Sequence, residues 1–271
     1  MKRPIYFFAF LIISSALLLN SCKKDEDDPG GFNLFSVNDD IAFGKQFDNE
    51  IKNNPADYPI LDSVQYAAAY KHIYGIRDSI LNTGEVGYDD RFPWKVRIIN
   101  NDSVLNAFAV PGGYTYFYTG IIKYLDNEAQ FAGVMAHEMA HVANRHSTNQ
   151  LTKAYGIQIL LSIILGGSSD MLTQIAAELA SGLASLAFSR DHEYEADEYA
   201  VKYLYATSYD ARGIAGFFQK LEGSSHPPEF LSTHPSPENR IEEIENHWTN
   251  LGGKVGNTYE TSYQSFKAML P

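Results

Sequence analysis

The chain has 271 residues, 33 acidic against 21 basic side chains, a net charge of −12 and a single cysteine. That acidity argues against nucleic acid as a partner and against docking to anionic lipid through a basic patch. One cysteine excludes an internal disulfide, while this length with 45% hydrophobic residues suffices for one large domain with its own core.

The chain opens Met1-Lys2-Arg3, and an apolar run from Ile5 to Leu19 follows. A charged start before an apolar stretch of this length reads as a signal peptide, too short for a membrane-spanning helix. The run ends Leu19-Asn20-Ser21-Cys22. A sole cysteine there resembles a bacterial lipobox, with Leu19 and Ser21 fitting and Asn20 departing from the pattern. The expectation is cleavage before Cys22, acylation of Cys22 and a lipid anchor in the bacterial cell envelope, at the outer membrane, periplasmic or surface-facing. Residues 1–21 are then the signal peptide, 22–35 the lipidated cysteine with a flexible charged tether, and 36–271 the folded domain. Loss of Lys2 and Arg3 leaves 19 basic side chains against 33 acidic ones, a net −14.

Asp39 to Ile51 and Ser63 to Leu81 predict helices, with apolar residues at three- and four-residue steps. Trp94 to Asn100 predicts a strand. Val104 to Val110 and Tyr114 to Tyr118 are rich in β-branched and aromatic residues and break at Pro111-Gly112-Gly113, which predicts strands around a turn. A sheet edge beside a metal can bind an extended peptide as an added strand. The candidate contacts are Asn106, Ala107, Phe108, Gly112 and Gly113; the plain alternative is an ordinary hairpin.

Next comes His137-Glu138-Met139-Ala140-His141, an H-E-x-x-H pattern. Residues four apart share one helix face, so both imidazoles can hold one zinc ion. Glu138 lies beside that ion, where it can take a proton from an attacking water. Asp126 or Asn127 can cap the helix, and Phe131, Val134, Met135, Met139 and Val142 recur at helical spacing, so the motif sits in an amphipathic helix. A catalytic zinc takes three protein ligands and keeps a position for water. The best third ligand is Glu193; Asp197, four residues on, can orient a liganding histidine, although spacing alone does not choose between the two carboxylates. Glu195 and Glu198 read as a solvated helix face. His146, nine positions after His137, reads as a structural or cleft residue. His72, His192, His226 and His247 read as structural or exposed.

Leu151 to Leu165 and Met171 to Phe188 are apolar and predict a buried helix pair or a cover over the cleft. Asp210 to Leu221 predicts a helix, 223–237 a proline-rich loop carrying His234, Glu238 to Trp248 a helix, and the remainder a short strand or helical tail.

H-E-x-x-H followed by Ser189-Arg190-Asp191-His192-Glu193-Tyr194-Glu195-Ala196-Asp197 resembles the zinc endopeptidases of the CaaX prenyl protease, HtpX and BepA type, the gluzincins. Asn106-Ala107-Phe108-Ala109-Val110-Pro111-Gly112-Gly113, Arg145-His146 and the segment from His234-Pro235 to Arg240-Ile241 are similar to further motifs of that family. The resemblance spans about residues 36 to 245. It implies an α+β, mostly helical, zincin-like domain with a small β-sheet beside the active-site helix. It implies one zinc per chain held by His137, His141 and Glu193, with Asp197 behind them, Glu138 as base and His234 near the centre. It implies protein or peptide substrates, unfolded or misassembled envelope proteins among them. The helical repeats of BepA-type relatives have no counterpart in this sequence. His234 has three readings: a donor to the developing oxyanion, a fourth ligand that latches the site, or a plain loop residue. The alternative to an endopeptidase is a client-binding lipoprotein with a latched, silent site.

Overall fold

Side-chain caps set where the helices of this chain begin. In the computed structural model, which describes residues 33–165, 174–179, 187–222, 229–235 and 239–271, Ser36 and Asp39 form a reciprocal capping box that starts α1 (Val37–Asn53). The signal peptide, Cys22, most of the tether, His226 and most of the 171–188 helix lie outside the described residues. The second predicted helix starts later than expected, as α2 (Ala67–Leu81), because Asp62 accepts the Val64 and Gln65 amides and makes a turn first.

Strands β1 (Lys95–Ile99), β2 (Ala107–Val110) and β3 (Tyr114–Tyr118) form a sheet in the order β1-β3-β2. β3 lies parallel to β1 and antiparallel to β2, with Ala107 opposite Phe117 and Val110 opposite Tyr114. The β2–β3 turn needs glycine for two reasons. Gly112 and Gly113 have φ of +79° and +86°, and a Cβ on Gly112 would lie 2.4 Å from the Asp40 carbonyl oxygen. The turn therefore backs directly onto α1.

After α3 (Thr119–Tyr124), Asn127 caps α4 (Glu128–Ala143) by accepting the Gln130 amide. Every residue of α4 except Gln130 is buried, so this is a central helix and not the amphipathic one its spacing suggested. Gly133 and Gly213 let α4 touch the backbone of α8 (Gly213–Glu222). Arg145, at φ +55°, ends α4, and α5 (His146–Leu165) starts at once. A helical stretch over 174–179 (α6) and α7 (Arg190–Tyr205) follow. The loop expected over 223–237 contains the single turn α9 (Phe230–Thr233), and α10 (Arg240–Asn250) and α11 (Glu260–Lys267) close the fold. The architecture is α+β and mostly helical, with one small mixed sheet.

Two apolar clusters hold these layers. Phe131, Phe217, Tyr263 and Ile73 pack around α4, and Phe43, Phe47, Phe108 and Tyr116 pack between α1 and the sheet. Each such side chain contributes about 1.5–3 kcal/mol on burial. His72 is not a stray surface residue: it stacks on Phe266 and meets Glu128, whose other oxygen accepts from Tyr209. That network pins the C-terminal helix to the start of α4. Among the described residues, no helix is long and apolar enough to cross a membrane.

Candidate metal centre

α4 carries His137 and His141 one turn apart, both fully buried, with their Nε2 atoms 3.0 Å from each other. Ser189 caps α7 by accepting the His192 amide, and the first turn then lays Glu193 beside the imidazoles. One Glu193 oxygen is 3.5 Å from His137 Nε2 and the other 3.4 Å from His141 Nε2. His234 follows α9, which is tied down by the Phe230 amide donating to the Leu105 carbonyl and the Phe188 amide donating to the Thr233 carbonyl. His234 Nδ1 lies 3.3 Å from His137 Nε2 and 3.1 Å from Glu193 Oε1. One donor atom from each of these four residues falls within 4.8 Å of the others.

Zinc fits this donor set. Nitrogen and oxygen ligands at tetrahedral distances from zinc lie roughly 3.3 Å from one another, which is the spacing seen here. Burial, and then the neighbouring His137, push His141 well below its usual pKa, so it is neutral as a ligand must be. Burial works to raise Glu193, but His234, His137 and His141 outweigh it and hold the carboxyl well below its usual range. Three imidazoles and one carboxylate, all buried, suit one zinc ion.

Glu138 is fully buried on the same helix turn, and neither of its oxygens has a hydrogen bond. One oxygen faces His234 Nε2 at 3.3 Å. Burial pushes its carboxyl up to about 7, where a group can both take and return a proton.

Behind the donor cluster, Asp197 Oδ1 lies 2.9 Å from His137 Nδ1, the contact its spacing allowed. Arg240 is buried, and its Nη2 donates to Asp197 at 2.9 Å and stands 2.9 Å from Glu193 Oε2; its Nε also donates to Asp197. The guanidinium lies over the Phe218 ring. In the sequence Arg240 figured only as part of a late motif, because 43 residues separate it from Asp197.

His146, read from the sequence as a structural or cleft residue, lies directly beside the histidine pair: its Nδ1 is 2.9 Å from His141 Nδ1. Its Nε2 is 3.2 Å from Glu195, and its ring stacks on His192 at 4.3 Å. Glu195 is thus engaged, not simply solvated. Glu198 is exposed, as a solvated helix face requires.

The edge residues divide. Ala107 and Phe108 lie on β2, an outer strand of the sheet, and the Asn106 side chain accepts the Ala107 amide. Gly112 and Gly113 face α1 and Phe92, which explains them through the turn without a substrate.

A family model described as peptidase family M48 matches residues 79–248. The beta-barrel assembly-enhancing protease of Escherichia coli (strain K12) is 33% identical over 186 residues, which is 63% of this chain and 38% of that protein. Mitochondrial metalloendopeptidase OMA1 of Arabidopsis thaliana is 30% identical over 149 residues, 54% of this chain and 30% of the relative. The mitochondrial OMA1 metalloendopeptidase of Bos taurus is 25% identical over 230 residues, 79% and 42% of the two chains. The chain spans less than half the length of these relatives.

Proposed function

The chain belongs to peptidase family M48, and from that premise we propose that it works as a zinc-dependent endopeptidase of the bacterial cell envelope. The observation that carries this reading is the meeting of His137, His141 and Glu193 with a buried Glu138 whose carboxylate oxygens have no hydrogen bond. Zinc, when bound, would polarise the scissile carbonyl and ease deprotonation of water. Glu138 takes the proton from the attacking water and passes it to the leaving amine. Asp197 holds the His137 ring through Nδ1, and Arg240 offsets the charge of Asp197 and Glu193.

Substrates are extended segments of unfolded or misassembled envelope proteins laid along β2. The Tyr118 amide donates to the Asn106 carbonyl, so in this antiparallel register Ala107 and Ala109 turn their backbone groups away from β3, toward the outer side of the sheet. Ser147 Oγ donates to the Ala109 carbonyl at 3.3 Å, a contact an incoming strand would replace. Attachment to the membrane is through an acyl chain on Cys22.

The position of His234 favours a second feature of the same site. Its Nδ1 lies among the other three donors, so as a fourth ligand it would fill the position that a catalytic water needs. In that reading His234 would hold the site latched and would have to withdraw for turnover. His234→Ala should raise cleavage of unfolded casein; lower cleavage would assign it to the oxyanion instead. The deciding experiment is Glu138→Gln. It should keep about one zinc per chain by metal analysis and lose cleavage by roughly 10²–10⁴-fold. If neither the wild type nor this variant cleaves while both bind zinc, the protein is a silent client-binding lipoprotein; cleavage retained by the variant would overturn Glu138 as the base.

A further inference from the structure

Arg145 stands where α4 gives way to α5, at φ +55°. A residue with a Cβ rarely takes that conformation, and glycine or asparagine is the usual choice at such a helix end. Here an arginine takes it and is buried. Its Nε donates to Asp40 Oδ2 at 2.7 Å, and its Nη2 donates to the Phe35 carbonyl at 2.6 Å. Asp40 is itself fixed. Thr148 Oγ1 donates to its other oxygen at 3.0 Å, and the β2–β3 turn packs against its carbonyl through Gly112. Phe35 is buried, and the Leu34 amide before it donates to Thr152 of α5. The first described residues of the domain therefore clasp the break between two helices.

That break decides where His146 lies. In an unbroken helix, five positions turn a side chain about 140° away from His141. After the left-handed residue, His146 instead meets His141, Nδ1 to Nδ1 at 2.9 Å, and stacks on His192. The clasp is a poor source of stability, because a buried ion pair takes both charges out of water. Burial pushes the Asp40 carboxyl up to about 6, against the pull of Arg145 and Thr148. What the pair supplies is geometry. It holds a strained backbone in place, and strain of that kind persists only where the surroundings over-determine it.

We propose that Arg145 is a positioning residue of the metal centre: clasped by Asp40 and the Phe35 carbonyl, it keeps the turn that sets His146 against His141. It rests on the reading of His141 as a metal ligand, so the histidine contact and the metal are measured separately. Asp40→Asn is the reference background, because it leaves no unpaired carboxylate when Arg145 is replaced. In that background Arg145→Ala keeps the strained turn without its clasp. Arg145→Gly removes clasp and strain together, since glycine accepts positive φ at no steric cost. Zinc affinity, read by competition with a chromogenic chelator, should fall at least ~10-fold in the Ala protein, as when a partner behind a ligand is lost. It should return to within about threefold of the background in the Gly protein. The visible absorption of the cobalt-substituted protein should change with Ala and revert with Gly. Lower melting temperatures with affinity and cobalt spectrum unmoved would confine Arg145 to the fold and overturn the proposal. Equal losses of affinity in the Ala and Gly proteins overturn it too, because the side chain and not the turn would then matter. Should the Ala protein not fold, the Gly protein decides alone: background affinity and spectrum uphold the proposal, and loss of either overturns it. A wild type that takes up neither zinc nor cobalt overturns the metal-centre reading. The nitrogen NMR shifts of His141 and His146 in metal-free protein then test the turn: moved in Ala and restored in Gly if the proposal holds, unmoved in both if it fails.

Discussion

His137 and His141 leave the same face of one helix, yet their outer nitrogens meet unlike supports. His137 Nδ1 meets Asp197, a buried carboxylate that Arg240 grips through two nitrogens. His141 Nδ1 meets a second imidazole, His146, which leads on to Glu195, a side chain 35% exposed. The first arm carries fixed charge in the interior; the second leads outward through a buried ring to a part-exposed carboxylate. If each ligand binds zinc through Nε2, both Nδ1 atoms carry hydrogen, so His137 donates to Asp197, His141 to His146 Nδ1, and His146 Nε2 to Glu195. One helical turn thus places two imidazoles of the same chemistry in different settings: one against a buried, charged pair and one on a path to a part-exposed carboxylate.

The charged arm should be the more costly to break. Arg240→Met leaves Asp197 and Glu193 in the interior without their cation, and breaking a buried pair in this way costs about 3–5 kcal/mol. The loss should be greatest in metal-free protein, because zinc itself meets the Glu193 charge in the loaded form. Urea unfolding with and without a chelator checks it; equal losses in both states would mean that Arg240 serves Asp197 alone. Next in size is Asp197→Asn. The amide can still accept from His137 but brings no charge, and loss of an outer-shell carboxylate typically weakens metal binding by about 10–100-fold. Competition with a chromogenic chelator measures it, and an unchanged affinity would make Asp197 a partner of Arg240 only.

These two arms also mark how far the sequence could be read. The H-E-x-x-H turn depends on four-residue spacing within one helix, and Glu193 and Asp197 share the same spacing on another, although the family resemblance and not the spacing told the two carboxylates apart. The small sheet was legible from Pro111-Gly112-Gly113 and the aromatic strands beside it. His146 was not, because counting nine positions from His137 assumes one continuous helix. The chain instead breaks at Arg145, a non-glycine residue in left-handed conformation, and restarts so that His146 swings under His141. What holds Arg145 there is Asp40, 105 residues earlier, together with the Phe35 carbonyl. No local pattern announces a contact of that range. Arg240 was hidden for the same reason.

His146→Ala should come third. It removes the acceptor for His141 but no charge, so zinc affinity should fall by about 10-fold, the low end for such partners. His146→Gln, whose amide oxygen can accept from His141 Nδ1, should recover most of that loss. Recovery by Gln but not by Leu separates hydrogen bonding from packing, because Leu fills space against His192 and Phe188 without an acceptor.

The smallest effect belongs to Glu195→Gln. Glu195 touches no ligand, and a partly exposed carboxylate is worth roughly 0–1 kcal/mol to a partner that water can also serve. The amide oxygen still accepts from His146 Nε2, so zinc affinity should stay within about threefold of the wild type, the equivalent of less than 1 kcal/mol. A loss as large as that of Asp197→Asn would show that the negative charge at the end of the His141 arm is felt at the metal through two rings. The two supports would then be electrostatically equal despite their different burial, and the distinction between a charged anchor and a solvent-linked one would fall.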